Sequence, residues 1–376
     1  MPRSISELIH RTDIEVAAQE ILDPIQRLKY VRNATAAEVK PDLTRRRMVW
    51  LGLAAALLPA WSDNGRWRRT AAASKTVAAN PRSTGGIPDV WPVEQTDAYD
   101  LYSNGLRIEN GFTVANEPRS YILLINDSLA AGPRRSQPAG IVFHTTESDQ
   151  APFESGQKPA LKRIGKEVLL YVRNKRAYHF LIDRFGRVHR VVAESDAANH
   201  AGHSIWADAR WVYLDLNASF LGVAFEARMG EEPVTEAQIN AGRELTGALR
   251  SKYHIAAENC VTHAQVSVNP SNMRIGWHTD WGSRFPFREI GLPNNYEIPN
   301  PSLYCFGFEY DPVYLNSSGD DVRKSLAAAE ERVRLAAAAR GLPMSGYRSL
   351  LQQQYQRAQA SLRSRSTAQE NEDEQN

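Results

Sequence analysis

The sequence predicts an α/β layer fold. Two observations carry that prediction: short apolar runs of strand length recur along the middle of the chain, and a segment with helix-start chemistry follows them. Ile141, Val142, Phe143 and His144 form an apolar run that ends on a polar side chain, which reads as a buried strand delivering His144 to a sheet edge. Residues 178–183 read the same way, and Arg184, Phe185, Gly186 and Arg187 supply a hairpin turn into a partner strand at 188–192. A third strand at 221–226 precedes Thr235, Glu236, Ala237 and Gln238, which have the Ser/Thr-x-x-Glu/Gln form of a capping box. The helix that it opens runs to about Tyr253.

The ends of the chain behave differently. Residues 1–65 read as a leader and 66–90 as a linker, rich in Ala, Ser, Thr, Arg, Gly and Pro and without apolar periodicity. Folding begins near Trp91, and the main domain occupies 91–315. In the remaining stretch, 316–376, an Ala/Glu/Arg/Leu-rich exposed amphipathic helix is expected from Asp320 to about Arg340. Gly341, Leu342 and Pro343 break it before a second helical segment near 347–363, and the Gln/Glu-rich end is expected to be disordered.

The 376 residues are 42% hydrophobic and 23% charged, enough for one good core and a small second unit. Lys and Arg number 45 against 43 Asp and Glu, and a net charge of +2 gives no support to a nucleic-acid partner. Only two cysteines are present, Cys260 and Cys305, and neither has the close spacing of a thiolate zinc site. They could pair as a disulfide after export or stand as two separate buried thiols.

Arg45, Arg46 and Arg47 precede an apolar run at 48–61. That run has the length of a signal-peptide apolar region and falls below the ~18 residues of a membrane span. With a basic cluster before it and a polar stretch after it, export is expected, and the arginines resemble a twin-arginine signal. An uncleaved membrane anchor and a buried helix are the alternatives.

Nine histidines must be sorted. His10 lies in the leader, His189 in the outgoing hairpin strand and His254 at a helix end. His144 ends an apolar strand, His263 follows Cys260, Val261 and Thr262, and His278 sits in an aromatic-rich loop with Thr279 and Asp280. Each alone is more often structural than a metal ligand. A catalytic zinc, however, is held by a few such His and carboxylate ligands with one position left for water.

Taken in order, these segments resemble the zinc-dependent N-acetylmuramoyl-L-alanine amidases, a family that includes amidase-type phage lysozymes and animal peptidoglycan recognition proteins. The resemblance covers roughly 139–287. It rests on Gly140-Ile-Val-Phe-His-Thr-Thr146, on Tyr178-His-Phe-Leu-Ile182 with the turn Asp183 to Gly186, and on Asn199-His-Ala-Gly202. Asn217 to Val223, the approach to His263, and His278-Thr-Asp-Trp-Gly282 complete it. It implies a central mixed β-sheet flanked by helices, with a helical C-terminal extension.

The resemblance further implies a Zn2+ cofactor held by His144, His263 and Asp280, and peptidoglycan or muropeptides as the partner. The activity implied is cleavage of the amide between N-acetylmuramic acid and L-alanine, in the periplasm or cell envelope. A non-catalytic peptidoglycan-binding protein and a zinc amidase acting on another amide are the rivals. Tyr178 and His278 are the candidate oxyanion donors, His278 standing where the family has a Lys. Glu226 is the candidate proton shuttle, because members with a catalytic Glu carry it where this chain has Ala224, one step away on the same strand face. His200 and Trp281 are candidate substrate contacts, Trp281 with aromatic packing as its alternative. His179 is expected to be a core histidine and His203 loop surface. Between His263 and Asp280 the loop is longer than the family's usual form.

Overall fold

The computed structural model describes residues 86–230, 234–310 and 312–373. The basic cluster at 45–47 and the apolar run at 48–61 lie outside them. No helix among the described residues is long and apolar enough to cross a membrane.

Fourteen strands follow one another among the described residues. They are β1 (Pro92–Gln95), β2 (Tyr99–Tyr102), β3 (Arg107–Glu109), β4 (Tyr121–Ile125), β5 (Ala131–Arg135), β6 (Gly140–Thr145) and β7 (Phe180–Ile182). Then come β8 (Val188–Arg190), β9 (Ile205–Ala207), β10 (Trp211–Leu214), β11 (Phe220–Phe225), β12 (Cys260–Thr262), β13 (Val268–Asn269) and β14 (Arg274–Ile275). Eight of them form a mixed sheet in the order β1-β2-β3-β8-β7-β11-β6-β12. Within it β7, β11, β6 and β12 run parallel, whereas the β7–β8 hairpin is antiparallel. The order β5-β4-β10-β9 makes a second sheet, and β13 pairs with β14.

The central strands are mostly apolar because both sheet faces are covered. Every residue of β6 and β11 is buried. On one face Phe143, Val223 and Phe225 pack with Leu245, Ala248 and Leu249 of the helix Glu236–Tyr253. On the other, Leu181 and Ala224 meet Val168, Leu169 and Val172 of the helix Lys158–Asn174. The sequence reading had no element at 158–174. Its buried stripe is four residues wide among Lys, Arg and Glu, with a Pro near the start in place of a capping signal.

The capping box forms as expected. Gln238 N donates to Thr235 Oγ1 at 3.2 Å, and Thr235 N donates to Gln238 Oε1 at 3.1 Å. The helix ends on His254 in the left-handed conformation, φ 54°. Its last turn also holds the end of the expected linker: Arg250 donates to the Gly86 carbonyl and Val90 N to Ser251 Oγ, both at 3.0 Å.

At the other end, helices Asp320–Ala339 and Met344–Asp373 are separated where Gly341 adopts φ 65° before Pro343. Val322, Leu326, Ala329, Tyr355 and Ala358 join the main core cluster, so these helices bury a face against the sheet domain. The second helix continues to Asp373, past the expected end near residue 363 and into the stretch expected to be disordered. Cys260 and Cys305 are both buried and free, the second of the two alternatives.

Candidate metal centre

The site is assembled at the edge where β6 and β12 end. His144 is the fifth residue of β6, in register with Ala224 of β11. His263 follows β12 directly and opens a short helix, His263–Val266, whose capping box joins Thr262 to Gln265. Asp280 arrives on the long loop. That loop does not wander: it folds as the β13–β14 hairpin and returns with His278 N donating to Ser267 Oγ at 2.9 Å. The Asp280 carbonyl then accepts from Ala264 N at 3.0 Å, which ties the loop to the His263 helix.

These placements bring three side chains to one point. Asp280 Oδ2 lies 3.1 Å from His144 Nδ1, and Asp280 Oδ1 lies 2.8 Å from His263 Nδ1. One ligand atom from each of the three falls within 4.8 Å of the others. The far side of each imidazole is held by protein. His263 Nε2 lies 3.3 Å from the Ala201 carbonyl, an acceptor that places the proton on Nε2 and leaves the Nδ1 lone pair facing the cluster. His144 Nε2 lies 3.2 Å from His200 Nδ1, and His200 Nε2 lies 3.3 Å from the Phe220 carbonyl. Because that carbonyl can only accept, His200 donates from Nε2 and accepts from His144, so the His144 Nδ1 lone pair also faces inward.

Electrostatics reinforce this arrangement. Burial, with the neighbouring His263 charge adding to it, lowers His144 to about 4 against the Asp280 hydrogen bond. Burial alone would raise the Asp280 carboxyl, but the His263 charge and the hydrogen bonds from both histidines hold it well below the usual carboxylate range. Two neutral imidazole nitrogens and one carboxylate aimed at one point are a fitting donor set for zinc with one position open.

Above the three lies a cavity of about 410 Å³, lined among others by Glu147, Tyr178, Asn217 and His278. Tyr178 is brought there by a departure from the expected strand: it precedes β7 and adopts φ 63°, with its ring 5.0 Å from that of His144. Its hydroxyl is pushed above the ordinary tyrosine range by burial, then by the Asp280 and Glu147 charges. His278 stacks on His263 at 4.6 Å with an 18° interplanar angle. Partial burial and the His263 charge lower its pKa, which favours the neutral ring.

Three sequence-predicted residues are held mainly by other protein groups. His200 is largely buried with its Nδ1 on His144, and it also lines the cavity above the three. Trp281 is buried edge-to-face against Phe225 and Phe285, and its carbonyl accepts from the Tyr296 hydroxyl. Its aromatic-packing alternative describes most of it, with an edge left on a neighbouring cavity shared with Thr145. Glu226 lies just beyond β11 and turns away from the three: its Oε2 accepts from Arg184 N at 3.2 Å and faces Gly165. Glu226 keeps the face of Ala224, toward the helix Lys158–Asn174, and Glu226 N continues the ladder to the Ile182 carbonyl, but its carboxylate is taken up by Arg184 N. His179 is a core histidine as expected, its Nδ1 accepting from Gly222 N at 2.9 Å.

Sequence reading missed Glu147 and the role of Asn217. Asn217 Oδ1 accepts from His200 N at 2.9 Å and from Ala201 N at 2.7 Å, fixing the loop that backs both histidines. Its place at the head of the matched stretch 217–223 was the available signal. Gly222 is required by the same packing, since a Cβ there would come within 2.6 Å of the His200 ring.

A mixed sheet covered by helices, with two histidines and an aspartate converging at its edge, defines the class of the site. The N-acetylmuramoyl-L-alanine amidase family matches residues 134–283, so this part of the chain is a domain of that family. Solved structures are similar at low identity. N-acetylmuramoyl-L-alanine amidase LysC from Clostridium intestinale is 23% identical, with 47% of this chain and 93% of that one covered and a TM-score of 0.27. AmiD from E. coli, solved in complex with anhydro-N-acetylmuramic acid-L-Ala-D-gamma-Glu-L-Lys, is 23% identical over 45% of this chain and 64% of that one, TM-score 0.31. Drosophila peptidoglycan recognition protein SD is 16% identical over 41% and 84%, TM-score 0.26. No curated protein sequence matches the chain.

Proposed function

We propose that the protein is a zinc-dependent peptidoglycan hydrolase that cleaves the amide between the lactyl group of N-acetylmuramic acid and L-alanine. The convergence of His144, His263 and Asp280 on one point carries this reading. A bound zinc would polarise the scissile carbonyl and lower the pKa of a bound water from about 15.7 toward ~7. The chain's own groups do the rest. His200 and the Ala201 carbonyl hold the two ligand imidazoles in one tautomer, so their donor atoms are set before substrate arrives. Tyr178, protonated through neutral pH because its pKa is raised, can donate to the oxyanion that develops on attack. His278 can donate there as a neutral tautomer, since burial and the His263 charge lower its pKa.

The complete donor set favours an enzyme over a binding protein, since binding alone needs no such convergence. The test is mass spectrometry of muropeptides incubated with zinc-loaded protein. Free stem peptide with an L-alanine amino terminus is expected. Tight muropeptide binding with no release would favour the binding protein, and turnover only of other amides would favour the second rival.

The same reading places the protein outside the cytoplasm, because its substrate lies there. The basic cluster and apolar run at 45–61 support export. Fusing residues 1 to about 75 to a reporter active only outside the cytoplasm tests it, and a silent reporter would count against it.

A further inference from the structure

Amide hydrolysis needs a group that takes a proton from the attacking water and gives one to the leaving nitrogen. Glu226 is turned onto Arg184 N, and the strand position beside His144 carries only the methyl group of Ala224. Asp280 is committed to the two histidines. One further carboxylate lines the cavity, that of Glu147, three residues beyond His144.

We propose that Glu147 is the proton-carrying catalytic residue of this site. It rests on the amidase reading above and adds to it a residue from the loop after β6. Three observations support the assignment. Glu147 adopts φ 49°, an uncommon conformation for a residue with a side chain, and its N–H donates to the Ala227 carbonyl at 3.0 Å, so the chain reverses there. Its Oε1 is fixed by two donors, Thr145 Oγ1 at 2.5 Å and Met229 N at 2.9 Å. The residue is exposed, so a proton can exchange with solvent, and its charge is felt by Tyr178 in the same cavity.

The step balances. Water gives a proton to the free oxygen of Glu147 as its own oxygen forms the bond to the carbonyl carbon. The C–N bond then breaks, its electron pair passes to nitrogen, and nitrogen takes the proton from Glu147. The products are the lactyl carboxylic acid and the free amine, and Glu147 returns to the carboxylate.

Glu147→Gln keeps an oxygen for both Thr145 and Met229 while removing the proton acceptor, so it isolates the chemistry from the fold. We expect kcat on a muropeptide to fall ~10²-fold or more, with KM, zinc affinity by calorimetry and melting temperature unchanged. In Glu147→Ala, added formate should restore part of the lost rate, because a small carboxylate can enter the vacated position. Wild-type kcat in Glu147→Gln overturns the assignment. So does a loss in both variants that follows zinc affinity or melting temperature and that formate does not relieve, since that is a structural role. If the unaltered protein releases no stem peptide while binding zinc, the amidase reading itself has failed, which is a different result from either.

Discussion

His200 Nδ1 lies 3.2 Å from His144 Nε2, and this contact decides which nitrogen of His144 can face the Asp280 cluster. The geometry depends on Gly222, where a Cβ would come within 2.6 Å of the His200 ring. Replacing His200 with Ala should therefore weaken zinc affinity 10–100-fold, the usual cost of losing the partner of a metal-bound histidine. Gly222→Ala should do the same by displacing the ring, while leaving all three ligands in the sequence. Zinc competition titration measures both, and unchanged affinity in His200→Ala would remove it from this role.

Acidity should destabilise the metal-free protein in a defined window. His144 is lowered from 6.5 to about 4 by burial, so the unfolded chain binds the proton more readily than the folded one. Stability is then fully present above about 6.5 and declines as pH falls toward 4. The difference of about 2.5 units corresponds to at most ~3 kcal/mol at 1.36 kcal/mol per unit. Asp280 adds nothing in this window, because its lowered pKa costs stability only as pH falls below the unfolded value of 3.8. Melting of chelator-treated protein between pH 7.5 and 4 should show the decline, and His144→Asn should make it shallower without removing it, because burial also lowers His179, His200 and His278.

Tyr178→Phe separates binding from chemistry. Its ring packs on His144, and the Phe ring keeps that contact, so zinc affinity should persist. Loss of the hydroxyl should slow cleavage ~10²- to 10³-fold if it meets the oxyanion. Single-turnover rates on a muropeptide decide it, and a wild-type rate would remove the hydroxyl from catalysis.

Glu226 should behave as a structural residue. Glu226→Ala leaves the buried Arg184 N–H without its Oε2 acceptor, at a cost of ~1–3 kcal/mol. Chemical denaturation should show that loss with kcat unchanged. A selective fall in kcat at native stability would return Glu226 to the chemistry.

The sequence by itself determined the elements whose signals are local. Apolar runs marked β6, β7 and β11 because buried parallel strands are apolar on both faces, and Thr235 and Gln238 marked a helix start because their hydrogen bonds span three residues. Ordered motifs also singled out His144, His263 and Asp280, which the fold brings together. Only the tertiary structure decided the roles of their neighbours. Where a side chain points just outside a strand depends on backbone reversals, such as those at Glu147 after β6 and Tyr178 before β7, which no periodicity records. Contacts between residues distant in sequence set the rest: Arg184 N took the Glu226 carboxylate, His200 met His144, and Met229 N helped to fix Glu147 at the cavity.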